Sequence, residues 1–345
     1  MANGRSPTMK DVAKTAGVAV STVSHVVNRS RFVSEEATER VEQAIRQLGF
    51  RANRVAQNLR SGRSNLIGFV VSNLYNYFYV RIARGIESVI GKYGYHLTLI
   101  DSQERTDLEQ ENIESLIDRG VDGLILVPTC TTCDHIGKLL SADDRPIVFV
   151  DREAIGFQAD SVLLSNEEGA YRATKHLIEK GHVDIGFVAF HFGHDEIDMT
   201  MQERIEGYRK AHQEAGLPIR KNYIEITAGG SVLVNELRHA ESYRMMERLL
   251  TTPVSAVLCG NSPASIGVFM CLKDRKVKIP EEIAMITFDD DLWLTMATPS
   301  ISAVAQPAEL LGAAAAERLM QRIQGKPQPY GCIRLKADLI IRDSS

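Results

Sequence analysis

No apolar run in these 345 residues approaches the roughly 20 needed to cross a bilayer as a helix, so the chain offers no membrane span. Its N-terminus, Met-Ala-Asn-Gly-Arg-Ser-Pro, is polar and lacks the apolar centre of a secretion signal. Cysteine is scarce, five in number and therefore odd, which argues against a disulfide framework and for a reduced, cytoplasmic setting. Cys130 and Cys133 form a C-x-x-C, but no second pair or histidine pair completes a zinc site, and incidental loop thiols are the expectation. Also missing are G-x-x-x-x-G-K-[ST], G-x-G-x-x-G, a serine nucleophile elbow and H-E-x-x-H. No catalytic residue, cofactor or metal is therefore nominated. The densest ligand-like cluster, His191, His194, Asp195, Glu196 and Asp198, lacks the helical spacing that presents two ligands together and reads as a solvated loop.

Charge is present but unevenly placed. Residues 1–64 hold 11 Lys and Arg against 5 Asp and Glu, a net of +6, and the remainder carries −10, giving the −4 of the whole chain. A basic head on an acidic body is an electrostatic footprint for a polyanion at one end. In that head, Thr8 and Asp11 have capping-box spacing, Val12, Ala13 and Ala16 form an apolar stripe, and Gly17 stops the helix. A second helix over 20–28 turns Val23, Val26 and Val27 inward and leaves Ser21, Thr22 and His25 outside, short polar groups that a DNA major groove accepts. A third begins after Ser34 and ends at Gly49.

From Ser64 onward, apolar runs such as Gly-Leu-Ile-Leu-Val and Pro-Ile-Val-Phe-Val alternate with amphipathic helical stretches. Strands are expected at 66–72, 96–101, 121–128, 146–151, 161–165, 184–190, 222–227, 254–259, 283–288, 300–305 and 332–341. Helices are expected near 79–93, 107–119, 134–141, 167–181, 202–216, 239–251, 262–275 and 307–324. Continuous apolar strands alternating with helices indicate parallel sheets buried on both faces, here two doubly wound α/β subdomains. In such sheets ligands bind beyond the carboxyl ends of the strands, which nominates the 72–78 loop, Asp101, Thr129, Asp151, Asn261 and Asp289.

The order Asp-Val-Ala (11–13), Val-Ser-His-Val-Val-Asn (23–28) and Asn-Arg-Val-Ala-Gln (53–57), leading into a strand at Leu66, closely resembles the LacI/GalR family of bacterial transcription regulators, its purine- and ribose-repressor-like members in particular. The likeness runs from about Thr8 to Arg342. It implies an all-α helix-turn-helix headpiece (8–52), a hinge helix and linker (53–63), and an effector-binding and dimerisation body (64–342) like periplasmic sugar-binding proteins. Within the body it implies three chain crossings, near 165, 297 and 330, with an N-subdomain of about 64–165 plus 298–330 and a C-subdomain of about 166–297 plus 331–342. The effector then falls to Tyr77 and Phe78, Asp151, Arg204 in Met-Gln-Glu-Arg-Ile-Glu-Gly-Tyr, and Asp289 in Ile-Thr-Phe-Asp-Asp, with Asn261 and Trp293 beside them. Trp293, the only tryptophan, either stacks on the ligand or fills the inter-subdomain core.

The implied function is a ligand-responsive repressor of a carbohydrate or related catabolic operon, acting on the nucleoid in the cytoplasm as a homodimer on a palindromic operator. The alternative, a sugar-handling enzyme carrying a DNA-binding head, lacks any phosphate cradle. Val20, Ser21, Thr22 and His25 are expected at base edges and Arg31 on phosphate. Asn53 to Ser61 is too short to hold a helix alone. On DNA two copies would pair through Val55 and Ala56 and set Leu59 into the minor groove, where a leucine wedge bends the duplex. The tail Ile341-Arg-Asp-Ser-Ser has no heptad pattern, so a dimer rather than a tetramer is expected. Departures from the family pattern are Ala19, where relatives carry a capping serine, Ser262, where they usually carry aspartate, and a longer segment at 228–240 near the cleft.

Overall fold

The computed structural model describes residues 7–28, 31–50, 63–130, 132, 134–141, 144–156, 158–191, 197–228, 235–326 and 329–345. The chain divides into two compact units, 1–64 and 65–345. In the first, α1 (Met9–Ala16), α2 (Val20–Asn28) and α3 (Glu35–Leu48) enclose a small core of Val12, Ala13, Ala16, Val23, Val41, Ala44 and Phe50. The capping box forms: the Thr8 amide donates to Asp11 Oδ2 at 2.8 Å while the Asp11 amide donates back to Thr8 Oγ1 at 3.4 Å. Gly17 (φ +65°) and Gly49 (φ +60°) end α1 and α3 in the left-handed region that a β-carbon disfavours. Ala19 has no side chain to offer α2. Its carbonyl alone takes the Thr22 and Val23 amides.

The body begins with β1 (Leu66–Val71), α4 (Tyr77–Ile90), β2 (His96–Asp101), α5 (Thr106–Asp118), β3 (Gly123–Leu126), α6 (Asp134–Ser141), β4 (Ile147–Val150) and β5 (Asp160–Leu164). The chain continues through α7 (Asn166–Glu179), β6 (Ile185–His191), α8 (Met199–Glu214), β7 (Ile224–Ala228), α9 (Asn235–Leu249), β8 (Ala256–Cys259), α10 (Ser262–Asp274) and β9 (Ala284–Phe288). It closes with α11 (Leu292–Met296), β10 (Ser302–Ala305), α12 (Ala308–Ile323), β11 (Cys332–Leu335) and β12 (Asp338–Ile340). Two six-stranded sheets result, ordered β11-β5-β4-β3-β1-β2 and β12-β10-β9-β8-β6-β7. Each strand face carries its own core. Ile67, Phe69 and Val71 pack under α4 and α12, while Val70, Leu124 and Leu126 pack under α5. The second sheet repeats this, with Phe190, Val257 and Met285 toward α9 and α10, and Phe187, Leu258 and Ile286 toward α7 and α8.

Three expectations need correction. Residues 300–305, expected after a crossing at 297, form β10 in the second sheet, parallel to β9 with Ser302 opposite Ile286. The connection 289–301, with α11 inside it, is long enough for a parallel crossover within one sheet, so the chain has no need to leave. The crossing comes later, at Gln306-Pro307. The expected single strand 332–341 is two. β11 joins β5 of the first sheet, and the chain passes at Lys336-Ala337 to β12 in the second. The subdomain memberships of 298–305 and 331–335 are therefore the reverse of those expected. Among the described strands β12 alone is antiparallel, because it enters where β10 finishes: Asp338 lies opposite Ala305, the last residue of β10.

Helices α4 and α12 approach so closely that a β-carbon on Gly85 would lie 2.1 Å from the Glu309 carbonyl oxygen, and one on Gly312 would lie 2.0 Å from that of Ile82. Backbone cannot retreat as a flexible side chain can, so Gly85→Ala must push the helices apart. We expect this substitution to lower the stability of the body by about 1–3 kcal/mol, the usual cost of overpacking. Urea unfolding with an unchanged m-value is the check.

Candidate functional site

The headpiece places its expected readers on one helix. Val20 and Ser21 are exposed on α2, and Thr22 and His25 are half-buried on its flank, while Val23 is fully buried against α1 and α3. Arg31 is exposed beyond the end of α2. Asn53, Val55, Ala56 and Leu59 lie outside the described residues.

In the body, the carboxyl ends of both sheets converge on one cavity of about 170 Å³. Asn73, Tyr75, Asn76, Tyr77, Tyr79 and Glu104 line it from the first subdomain, and His239, Ser262, Pro263, Ile266 and Asp291 from the second. Two aspartates occupy matching places in the two sheets. Asp151 follows β4, and its amide donates to the Val162 carbonyl at 2.9 Å. Asp289 follows β9, and its amide donates to the Val304 carbonyl at 3.1 Å. Both are buried, and both hold a left-handed backbone, φ +67° and +70°. For a residue with a β-carbon this conformation costs of order 1–3 kcal/mol, a strain that the surrounding structure must impose.

Each aspartate has an arginine nearby. Arg152 Nη1 donates to Glu104 Oε2 at 3.0 Å and Nη2 to Glu104 Oε1 at 3.3 Å. Tyr79 Oη bridges this pair to the acid, donating to Asp151 Oδ2 at 3.1 Å. Glu104 reaches the site from a turn in which both Gln103 and Glu104 have positive φ. Arg204, on α8, lies over the ring of Phe288 at 4.1 Å and donates to Asn166 Oδ1 (2.8 Å), the Gly260 carbonyl (2.6 Å) and Gln306 Oε1 (3.3 Å). Gln306 in turn donates to Asp289 Oδ1, and the Ser262 amide donates to Asp289 Oδ2 at 3.2 Å. The Ser262 hydroxyl donates to Asp291 Oδ2. Burial raises the carboxyl pKa values of Glu104 and Asp151 against the pull of Arg152. Burial likewise pushes Asp289 up to about 6, with Arg204 opposing and Asp291 adding to the rise.

Of the expected effector residues, Tyr77 lines the cavity, half-exposed. Asp151, Arg204 and Asp289 form the polar network around it. Phe78 is buried in the first subdomain's core beside Tyr79, with ring centroids 5.4 Å apart. Asn261 caps α10 and donates to the Phe190 carbonyl at 2.6 Å, tying β6 to β8. Trp293 packs on Phe269 at 5.4 Å, against the core of the second subdomain and away from the cavity lining. Asp101 ties the loop after β1 to its own by accepting the Leu74 and Gln103 amides, and Thr129 is held through its amide by Glu109. The segment from His191 to Asp198 falls mostly outside the described residues, as does Cys133; Cys130, expected as an incidental loop thiol, is instead disulfide-bonded. Asp198 serves as the N-cap of α8. Among the described residues no three His, Cys, Asp or Glu side chains are grouped to hold a metal. Sequence reasoning missed Tyr79, Glu104, Arg152, Asp291 and Gln306. Only Arg152 and Asp291 had a signal, as neighbours of nominated acids at strand ends.

A buried acid with a raised pKa keeps its proton in the folded state after the unfolded chain has released its own. Stability then falls as pH rises, between the ordinary aspartate value and about 6, and levels off above. Asp289→Asn removes the titration. We expect its stability relative to the parent to improve by about 2–3 kcal/mol from pH 4 to pH 7, the equivalent of a two-unit shift. Denaturant unfolding of both proteins across that range tests the sign.

Comparison with known proteins adds to this geometry. A family model described as bacterial regulatory proteins, lacI family, matches residues 8–53, and one described as a periplasmic binding protein-like domain matches 174–345. The HTH-type transcriptional repressor PurR of Vibrio parahaemolyticus is 32% identical over 340 residues, 98% of each chain. The ribose operon repressor of Escherichia coli is 33% identical over 321 residues, 92% of this chain and 93% of its own. Among solved structures, a transcriptional regulator CelR–cellobiose complex has 28% identity and a TM-score of 0.71, covering 98% of this chain and 100% of its own. The Lac repressor bound to ONPG shares the fold, with a TM-score of 0.85 at 23% identity over 99% of this chain and 100% of its own.

Proposed function

The chain belongs to the LacI family of bacterial regulatory proteins, and from that premise we propose how its two sites divide the work. It is a ligand-responsive, DNA-binding transcriptional repressor and not an enzyme. Its partners are operator DNA, a small-molecule effector and a second copy of itself. No described helix is long and apolar enough to cross a membrane. In the proposed division, the effector enters the cavity between the two sheets. Its hydroxyls engage the Asp151 and Asp289 carboxylates, and the target is a carbohydrate or related catabolic operon. We place this action in the cytoplasm, on the nucleoid.

The observation that carries this reading is the pair of matched, strained, buried aspartates standing behind the wall of one cavity, one in each sheet. A ligand bonded to both joins the subdomains and favours the closed arrangement by its differential affinity for it. The relatives fit the same chemistry, since structures of family members contain cellobiose and, in an Enterococcus faecium regulator, ribose. Calorimetric titration with neutral sugars, repeated on Asp151→Asn, tests it. The variant should lose most of the affinity of any sugar that binds.

On DNA, the proposed reading face is Val20, Ser21, Thr22 and His25, with Arg31 on phosphate. His25→Ala should change which operator bases are preferred, at a cost of about 1–3 kcal/mol for the base pair concerned. A loss equal on all sequences, measured by fluorescence anisotropy on an operator panel, would restrict His25 to the backbone. Asn53, Val55, Ala56 and Leu59 are proposed to pair and wedge as a hinge helix formed on operator. Leu59→Ser should abolish most operator affinity while the body still binds its effector, a split that a plain linker would not give.

A further inference from the structure

Among the described residues, the carboxylates at the cavity wall are the permanent charges that line it. Glu104 and Asp291 line it, Asp151 and Asp289 stand just behind, and among the described lining residues there is no Lys or Arg. The two nearby guanidiniums are already bonded to protein oxygens, Arg152 to both oxygens of Glu104 and Arg204 to Asn166, Gly260 and Gln306. Neither arginine lines the cavity, and the fork of Arg152, the geometry by which proteins hold carboxylates and phosphates, is already engaged by Glu104. An anionic ligand would lose hydration and meet the Glu104 and Asp291 carboxylates, with His239 the one described lining side chain that can carry positive charge. A hydroxyl, in contrast, donates to a carboxylate in a charge-assisted hydrogen bond.

Size limits the ligand further. At about 170 Å³ the cavity is well below the roughly 300–1,000 Å³ of clefts that take drug-sized ligands, so it accommodates a single ring. Tyr75, Tyr77, Pro263 and Ile266 supply apolar surface for the face of such a ring. Asp291 is placed to act on its edge. It lines the cavity directly, and the Ser262 hydroxyl donates to its Oδ2, fixing the carboxylate while Oδ1 keeps its acceptor capacity.

Building on the effector reading above, we propose that the cleft selects an uncharged single-ring polyol and rejects its anionic derivatives, with Asp291 as the acid that enforces the choice. Asp291 thereby acts as a specificity-determining acceptor for one ring hydroxyl.

The test is calorimetric titration of the full chain with matched pairs: D-glucose and D-glucuronate, D-galactose and D-galacturonate, D-ribose and ribose 5-phosphate. At least one neutral member should bind, and at least tenfold more tightly than its anionic partner. Asp291→Asn should narrow that ratio to about threefold or less, whereas a merely structural defect would weaken both members alike and leave the ratio standing. Ser262→Ala, which removes the hydroxyl holding the carboxylate, should move the ratio in the same direction and serves if Asp291→Asn does not fold. A uronate or phosphate that binds as tightly as its neutral parent overturns the proposal, as does an unchanged ratio in a folded variant. If no ring of either kind binds a chain that still binds operator, the effector reading of the cleft falls and the proposal with it.

Discussion

The guanidinium of Arg204 is the interaction on which the body's architecture turns. It is buried over Phe288 and reaches three separate stretches of chain: Asn166, the Gly260 carbonyl and Gln306. Two of these are crossing points. Asn166 begins the helix after the first passage between subdomains, and Gln306 stands at the second. A buried cation left without partners carries a large desolvation penalty, so the three acceptors must be present together for Arg204 to be tolerated there. The requirement runs in both directions. Gln306, fixed by Arg204, donates to Asp289, so the charge that orders the crossing also orders the acid behind the cavity wall.

Around this centre the body builds one arrangement twice. The two sheets have the same strand order, and each puts an aspartate in the left-handed region just beyond its third strand from the edge opposite β2 or β7. Strain of that kind persists only when neighbours over-determine it, and here an amide bond to the next strand does so on both sides. The two halves differ in how the acid is balanced. Asp151 is bridged by Tyr79 to the Glu104–Arg152 pair, whereas Asp289 accepts from Gln306 and from the Ser262 amide. The two carboxylates thus share a backbone geometry but differ in their surroundings.

How much of this was legible in the sequence follows from the range of each interaction. Caps and periodicity are local, so Thr8, Ser34 and Gly49, and most strands and helices of the body, were readable to within a few residues. Strand membership is not local. The run at 300–305 looks the same whichever sheet it joins, and only the length of the connection from β9 distinguishes the alternatives. The stretch 332–341 looked continuous because Lys336-Ala337 carries no turn residue to mark the break. Aspartates at strand ends were readable from the rule for α/β sheets. Glu104 was not, because it enters the site through two consecutive residues of positive φ that no glycine or asparagine announces. Trp293 was undecidable from composition alone, since one aromatic serves equally as ligand platform or core. Phe269 settles its place.

The same logic bears on how the cavity is linked to the start of the body. Residue 65 opens the body: the Asn65 amide donates to Asp122 Oδ2 at 2.9 Å, and its carbonyl accepts from the His96 amide at 2.9 Å. Asn65 thereby belongs to the first sheet, the chain of β1 running on from it to the Ser72–Asn76 loop at the cavity. Six residues of buried strand separate the anchor from that loop, with Val70 and Val71 fully buried among them. Close-packed interiors move as units rather than deform residue by residue. A displacement of the first subdomain at the cavity therefore carries Asn65 with it.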